Sequence, residues 1–297
     1  MSQPKSITST LCLLLAMLLW ASSFVALKIA FTGYHPMQVI FGRMLIASIC
    51  FLPFLPGFFR IKWRKQDLGY LLLMAVCEPC LYFLFEAKAL VNTSASQAGM
   101  ITAMLPLLVA VAAWAFLKER INRLTLVGFF IAVVGAITLS LAAEATTSSP
   151  NPLLGNFFEL AAMVCATGYT ICLKHLSGRY SPIFLTAVQA FIGSFFFAFF
   201  LLPPDVGLPE HWIPGPGMAV IYLGTFITLG AYGLYNFGVS RIPANQAAAF
   251  VNLIPVFSVI LGSILLAERL NSWQWIAVVL VFAGVFLSRY GGNKQLN

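Results

Sequence analysis

Charged side chains stand where the chain is otherwise apolar. Residues 77–90 read CEPCLYFLFEAKAL, so two glutamates, a lysine, a proline and a CxxC spacing share one apolar run. A CxxC pair holds zinc or does thiol redox when further ligands or thiolate-stabilising cations are near. Here there is no second CxxC, and His35, His175 and His211 all lie in or beside loops. Cys77 and Cys80 therefore read as packing residues, and neither a metal nor a cofactor is expected. The glutamates ask for a different chemistry. A carboxyl in an apolar setting can carry a proton, bind a cation, or pair with an arginine, and Glu78, Glu86 and Arg43 are the groups placed to do so.

The rest of the chain decides what that setting is. Hydrophobic residues make up 60% of the 297 residues and charged residues only 9%, and the mean hydropathy is +0.92. A soluble domain carries roughly a quarter of its residues as charges, so this composition points to an all-α polytopic membrane protein. A span needs about 20 apolar residues. Runs and breakers suggest ten, near 8–30, 37–56, 69–90, 94–117, 124–143, 153–174, 183–203, 216–240, 245–267 and 272–290. The net charge of +8 is no footprint for nucleic acid, because the cations cluster between the runs as topology signals. Arg60, Lys62, Arg64, Lys65, Lys118, Arg120, Arg123, Lys174, Arg179 and Arg241, with Lys5 and Lys294 at the ends, fall on one side of ten spans. Arg269 is the main exception. Both termini are expected to be cytoplasmic, in a bacterial inner membrane.

An internal repeat organises these spans. Shifted by 149 positions, ASQA at 95–98 falls on ANQA at 244–247, Pro106 on Pro255, Glu119-Arg120 on Glu268-Arg269, Asn122 on Asn271 and Gly135 on Gly284. A shift of 146 places Lys28 on Lys174, Tyr34 on Tyr180 and Pro36 on Pro182. The expected units are residues 1–146 and 147–297, each with five spans. Five is odd, so the second half enters the bilayer from the opposite face. That is the inverted-repeat plan of many secondary transporters, with the site near the midplane between the halves.

The segment YFLFEAKAL, then GMITAMLPLLVAVAAWAFLKERINRLTLVGFFIAVVGAITL, and its second copy from NQAAAF through LIPVFSVILGSILLAERL to VFAGVFLS resemble the EamA-type branch of the drug/metabolite transporter superfamily. WASSFVALKIA and PMQVIFGRMLIA fit the start of the family repeat. The resemblance covers essentially the whole chain. It implies ten helices in two inverted halves and movement of small metabolites, often export of amino acids or related compounds.

Depth along the spans ranks the candidate residues. The third span runs outward, placing Glu78 and Pro79 near the midplane and Glu86 about 12 Å further out at 1.5 Å per residue. Glu78, Tyr82 and Glu86 are spaced i, i+4, i+8 and share one stripe, while Lys88 points away and can snorkel. Arg43, on the antiparallel second span, lies at the depth of Glu86, so the two can pair. Glu159 occupies the same outer half. Each charge at the bilayer centre costs roughly 2.5–3.5 kcal/mol, so these groups must pair or face water. Glu78, with no cation at its depth, is the better proton carrier; Glu86 is the partner of Arg43 or of a substrate ammonium. Pro79 is expected to loosen the helix at Glu78. Pro106 and Pro255 free the carbonyls of Thr102 and Val251 and mark paired breaks beside the path. Trp20, Tyr235, Asn236 and Asn252 complete the candidate lining. Glu119 to Asn122 and Glu268 to Asn271 read as helix ends and caps in preference to a charged gate.

The resulting expectation is a transporter, not an enzyme, exporting a small polar or amphipathic metabolite by alternating access, with protons as the coupling partner. An uncoupled facilitator or exchanger of metabolites or drug-like amines is the alternative. No GxxxxGK[ST] or HExxH occurs, which disfavours an ATP-driven pump and leaves an intramembrane enzyme or sensor remote. The partners expected are a small molecule, protons and the lipid bilayer; a homo-oligomer is neither required nor excluded.

Overall fold

The computed structural model describes residues 3–61, 64–117, 123–241 and 250–293. Seven helices are long and apolar enough to cross a membrane: α1 (Ile7–Phe31), α2 (Pro36–Phe58), α3 (Lys65–Asn92), α4 (Ala95–Ala112), α6 (Pro152–Leu176), α7 (Pro182–Leu201) and α8 (Pro214–Arg241). Three shorter apolar helices, α5 (Leu126–Leu141), α9 (Val251–Leu265) and α10 (Ser272–Leu287), lie among them. No strand occurs among the described residues. Outward-facing Phe130, Phe195 and Phe286 are 69%, 70% and 74% exposed, an apolar surface far too extensive for water.

The helices begin where local chemistry starts them. Pro36 and Pro182, repeat mates, each open a helix at its first position, where the missing N–H costs nothing. His35 accepts from Met37 N at 3.2 Å, and Ser181 Oγ accepts from Phe184 N at 3.3 Å. Asn271 and Gln274 cap α10 reciprocally, each side chain accepting from the other's backbone N–H at 2.9 Å. Asn271 thus takes the capping role expected of it, whereas Glu119 to Asn122 lie outside the described residues.

Helix irregularities repeat along with the sequence. Tight 3₁₀ turns at Thr102–Met104 and Val251–Leu253 stand in register, each followed by its proline at the second position of the resumed helix. Widened, π-type stretches at Val76–Leu81 and Leu223–Ala231 also correspond. Away from the centre α5 and α10 pack on each other more extensively than any other pair. Their contact turns on Gly135 and Gly284. A Cβ on Gly135 would sit 2.8 Å from Val281 N, and one on Gly284 would sit 2.4 Å from Gly128 O. Small residues let helices approach this closely in lipid, where packing supplies the attraction.

Candidate functional site

The site is built around an interruption in α3. Proline forces the preceding residue out of the helical region, and Glu78 has φ −150° and ψ 116°. The break frees the Glu78 carbonyl, which accepts from Gln189 Nε2 of α7 at 2.9 Å. The Glu78 carboxyl, itself buried, accepts from the Tyr232 hydroxyl of α8. A regular helix resumes at Tyr82, so the stripe expected from Glu78 to Glu86 is helical only over its second turn. There the Tyr82 hydroxyl donates to Glu86 Oε1 at 3.3 Å.

Arg43 and Glu86 meet. Arg43 Nη1 lies 3.5 Å from Glu86 Oε2, with side chains 1% and 3% exposed. Arg43 Nε donates to Thr228 Oγ1 at 3.1 Å, and that hydroxyl passes its own hydrogen to Leu223 O at 2.9 Å. The guanidinium carbon also sits 4.0 Å from the centre of the Phe83 ring, a cation–π contact strengthened by the dry setting. One cation is therefore held by a carboxylate, a hydroxyl and an aromatic face. Lys88 is exposed on the other face of α3, and its ammonium lies 5.5 Å from the Phe158 ring centre.

Aromatic rings close the opposite wall. Trp20 packs on Tyr235 at 4.7 Å between ring centres and on Tyr232 at 5.2 Å. Behind them Asn236 accepts from the Tyr169 hydroxyl at 2.7 Å and donates to Thr186 Oγ1 at 2.8 Å. Asn236 thus braces the wall from outside the cavity. Asn252 is half-buried and also stands outside the lining, with neither side-chain polar atom hydrogen-bonded among the described residues.

Between these walls lies a cavity, about 530 Å³ of space when what opens at its mouth is included. Trp20, Arg43, Glu78, Tyr82, Glu86 and Tyr235 all line it, and so do Thr102 and Val251 at the breaks before Pro106 and Pro255. Most of the lining falls into repeat mates. Trp20 pairs with Ala166, Ser23 with Tyr169 and Phe24 with Thr170 at a shift of 146. Phe83 pairs with Tyr232, Glu86 with Tyr235, Thr102 with Val251 and Leu105 with Ile254 at a shift of 149. Trp20 Nε1 and Arg43 Nη1 are buried without hydrogen-bond partners among the described residues. The cavity therefore offers unused donors, carboxyls and ring faces to a molecule with both polar and apolar parts.

Two polar clusters sit away from it. Glu268 accepts from Ala95 N at 2.9 Å and from Ser96 N at 2.8 Å, tying the end of α9 to the start of α4. Buried Asp67 accepts from Arg179 Nη1 at 2.5 Å and from the Tyr180 hydroxyl at 3.0 Å, with His175 Nε2 at 4.0 Å. Cys80 is buried and Cys77 half-buried, both free thiols, and no metal-binding group occurs among the described residues.

Sequence reasoning missed Thr228, Gln189 and Asp67, and set Tyr232 aside among the aromatic candidates as too near a span end. Thr228 and Gln189 are neutral and sit in apolar spans, where nothing in their type marks them. A usable signal existed for Tyr232 and Gln189, since they are the repeat mates of Phe83 and Arg43.

The profile of the EamA-like transporter family matches the chain twice, over residues 7–141 and 153–290. Among curated relatives, the uncharacterized transporter YetK of Bacillus subtilis is 28% identical over 83% of this chain and 76% of its own length. A protein of Streptantibioticus cattleyicolor named as a probable terminal-alkyne amino-acid exporter is 24% identical, covering 93% of this chain and 91% of its own. A solved crystal structure aligns over 97% of this chain and 99% of its own with a TM-score of 0.63 at 19% identity, a likeness of fold.

Proposed function

The chain belongs to the EamA-like transporter family, and from that premise we propose that it exports a small polar or amphipathic metabolite, an amino acid or related compound. In this reading two inverted five-helix halves, residues 1–146 and 147–297, rock about the central cavity in a bacterial cytoplasmic membrane, with both termini inside. One observation carries it: most of the cavity lining falls into pairs of repeat mates, as a site on the axis between two moving halves would. The double match of the family profile and the paired helix breaks support the same division. The name of the Streptantibioticus cattleyicolor relative, a probable terminal-alkyne amino-acid exporter, favours a cargo with ammonium and carboxylate groups. Arg43 would meet the carboxylate, Glu78 or Glu86 the ammonium, and Trp20 with Tyr235 the apolar part.

Counterflow into proteoliposomes, tested with labelled amino acids and aromatic amines, examines this reading. One chemical class should exchange across the membrane, and Trp20→Ala should abolish that exchange in a protein that still purifies folded. If no class moves, or if Trp20→Ala leaves exchange intact, the reading fails. Flux that ignores an imposed pH gradient would favour the uncoupled facilitator.

A further inference from the structure

Glu159 of α6 has no role in the site described so far. Its side chain is fully buried, at 0% exposure, and neither carboxyl oxygen has a hydrogen-bond partner among the described residues. A buried carboxylate without donors or a cation is not sustained in an apolar interior. Something must complete it.

Helix register identifies the neighbour. α3 and α6 run antiparallel and touch closely at two glycines. A Cβ on Gly155 would lie 2.9 Å from Ala89 O and 2.7 Å from Thr93 N, and one on Gly168 would lie 2.8 Å from Cys77 Sγ. Between these contacts, one turn beyond Gly155 on the same face of α6, Glu159 comes opposite Glu86. Glu86 Oε2 is likewise buried without a hydrogen bond and has only the ion pair to Arg43. The region thus holds three buried carboxyls, Glu78, Glu86 and Glu159, against one buried cation, Arg43.

Among the described residues the surroundings supply no second cation. On α3 the titratable groups near Glu159 are Cys77, Glu78, Tyr82 and Glu86, while Lys88 is exposed on the far face. On α8 there are Tyr232 and Tyr235, on α6 itself Cys165, Tyr169 and Cys172, and on α2 Arg43. The packed segments of α4 and α5 carry none.

We propose that Glu86 and Glu159 form a carboxyl pair holding one shared proton, and that this is the proton exchanged for cargo. The inference rests on the transporter reading above. Glu86 lines the cavity and Glu159 does not, so Glu86 is the port and Glu159 the reserve behind it. A proton from water on one side binds a Glu86 carboxylate oxygen and is shared with Glu159; on the other side it returns to water. Without the proton, Glu86 and Glu159 carry two negative charges against the one positive charge of Arg43, and Glu86 can take the ammonium group of a cargo. When the proton binds, that excess negative charge is neutralised and the cargo group is released.

Infrared spectra of the full-length protein in lipid vesicles, titrated from acid to alkali without cargo, test the pairing. The wild type should show a protonated-carboxyl band that disappears on titration. Glu159→Gln should lose that disappearance, Glu159→Asp should keep it at a shifted frequency, and Glu78→Gln should leave it in place. If Glu78→Gln removes the titrating band while Glu159→Gln retains it, the proposal is overturned. If sodium at fixed pH abolishes the band, the pair is a metal-cation site and the proposal is also overturned. Because this readout needs no cargo, it is independent of whether any substrate is found. In vesicles that do transport, Glu159→Gln should lose stimulation by a pH gradient yet keep exchange at equal pH.

Discussion

The two halves present the same backbone to the cavity and unlike side chains. α3 and α8 are repeat mates, each widened by a π-type stretch in the middle. Where α3 carries Glu78 and Glu86, α8 carries Ile227 and Tyr235, and where α2 carries Arg43, α7 carries Gln189. Among the residues that line the cavity, charge is confined to the first half, yet the second half holds those charges. Tyr232 donates to the Glu78 carboxyl, Gln189 to its carbonyl, and Thr228 accepts from Arg43. All three contacts cross between halves. Duplication followed by divergence has thus left one half of the cavity lining with the charged groups and the other with neutral groups that hold them. In the proposed alternating-access motion these charges would change their solvation, and a ligand that replaces the lost contacts would favour the moved state.

The asymmetry can be broken from the charged side first. Arg43→Ala strands buried Glu86, and removing one member of a buried pair costs about 3–5 kcal/mol. A large fall in thermal unfolding temperature in detergent is expected, partly restored by adding Glu86→Gln. If the double variant melts no higher than the single one, the pair is not what Arg43 stabilises.

Breaking it from the neutral side should cost less. Tyr232→Phe keeps the ring against Trp20 and removes only the donor to Glu78, for about 1–3 kcal/mol. Cargo exchange should weaken while the fold persists. Equal melting and exchange in wild type and variant would mean that Glu78 finds its support elsewhere.

The smallest effect is expected where no polar contact crosses. Cys77→Ala should leave exchange unchanged with or without chelator or reductant, since the thiol packs beside Gly168. A metal- or redox-dependent difference would return the CxxC spacing to function.

Much of this was readable in the sequence because some residues act locally. Pro79 acts on the residue before it, so the break at Glu78 followed from the chain alone. The same holds for Pro106 and Pro255, whose preceding turns tighten in register. Asn271 caps with Gln274, three positions on. The remainder depends on how each helix is rotated about its axis, which is set by packing at positions such as Gly155 against Thr93. Depth placed Arg43 level with Glu86 but could not say that the two face each other. Asn236 and Asn252 had the right residue type and the wrong face. Asp67, which follows a cationic loop, gave no sign that Arg179 and Tyr180 would bury it.

The interruption at Glu78 has a further use. Its carboxyl and its carbonyl are both held by the opposite half, so in the proposed motion the residue would be shielded only while the halves stay together. A carboxyl-modifying carbodiimide applied from one face of the membrane would reach Glu78 only when that face is open. The bend that proline imposes on α3 is in this sense a gauge of closure, read by the reactivity of a single side chain.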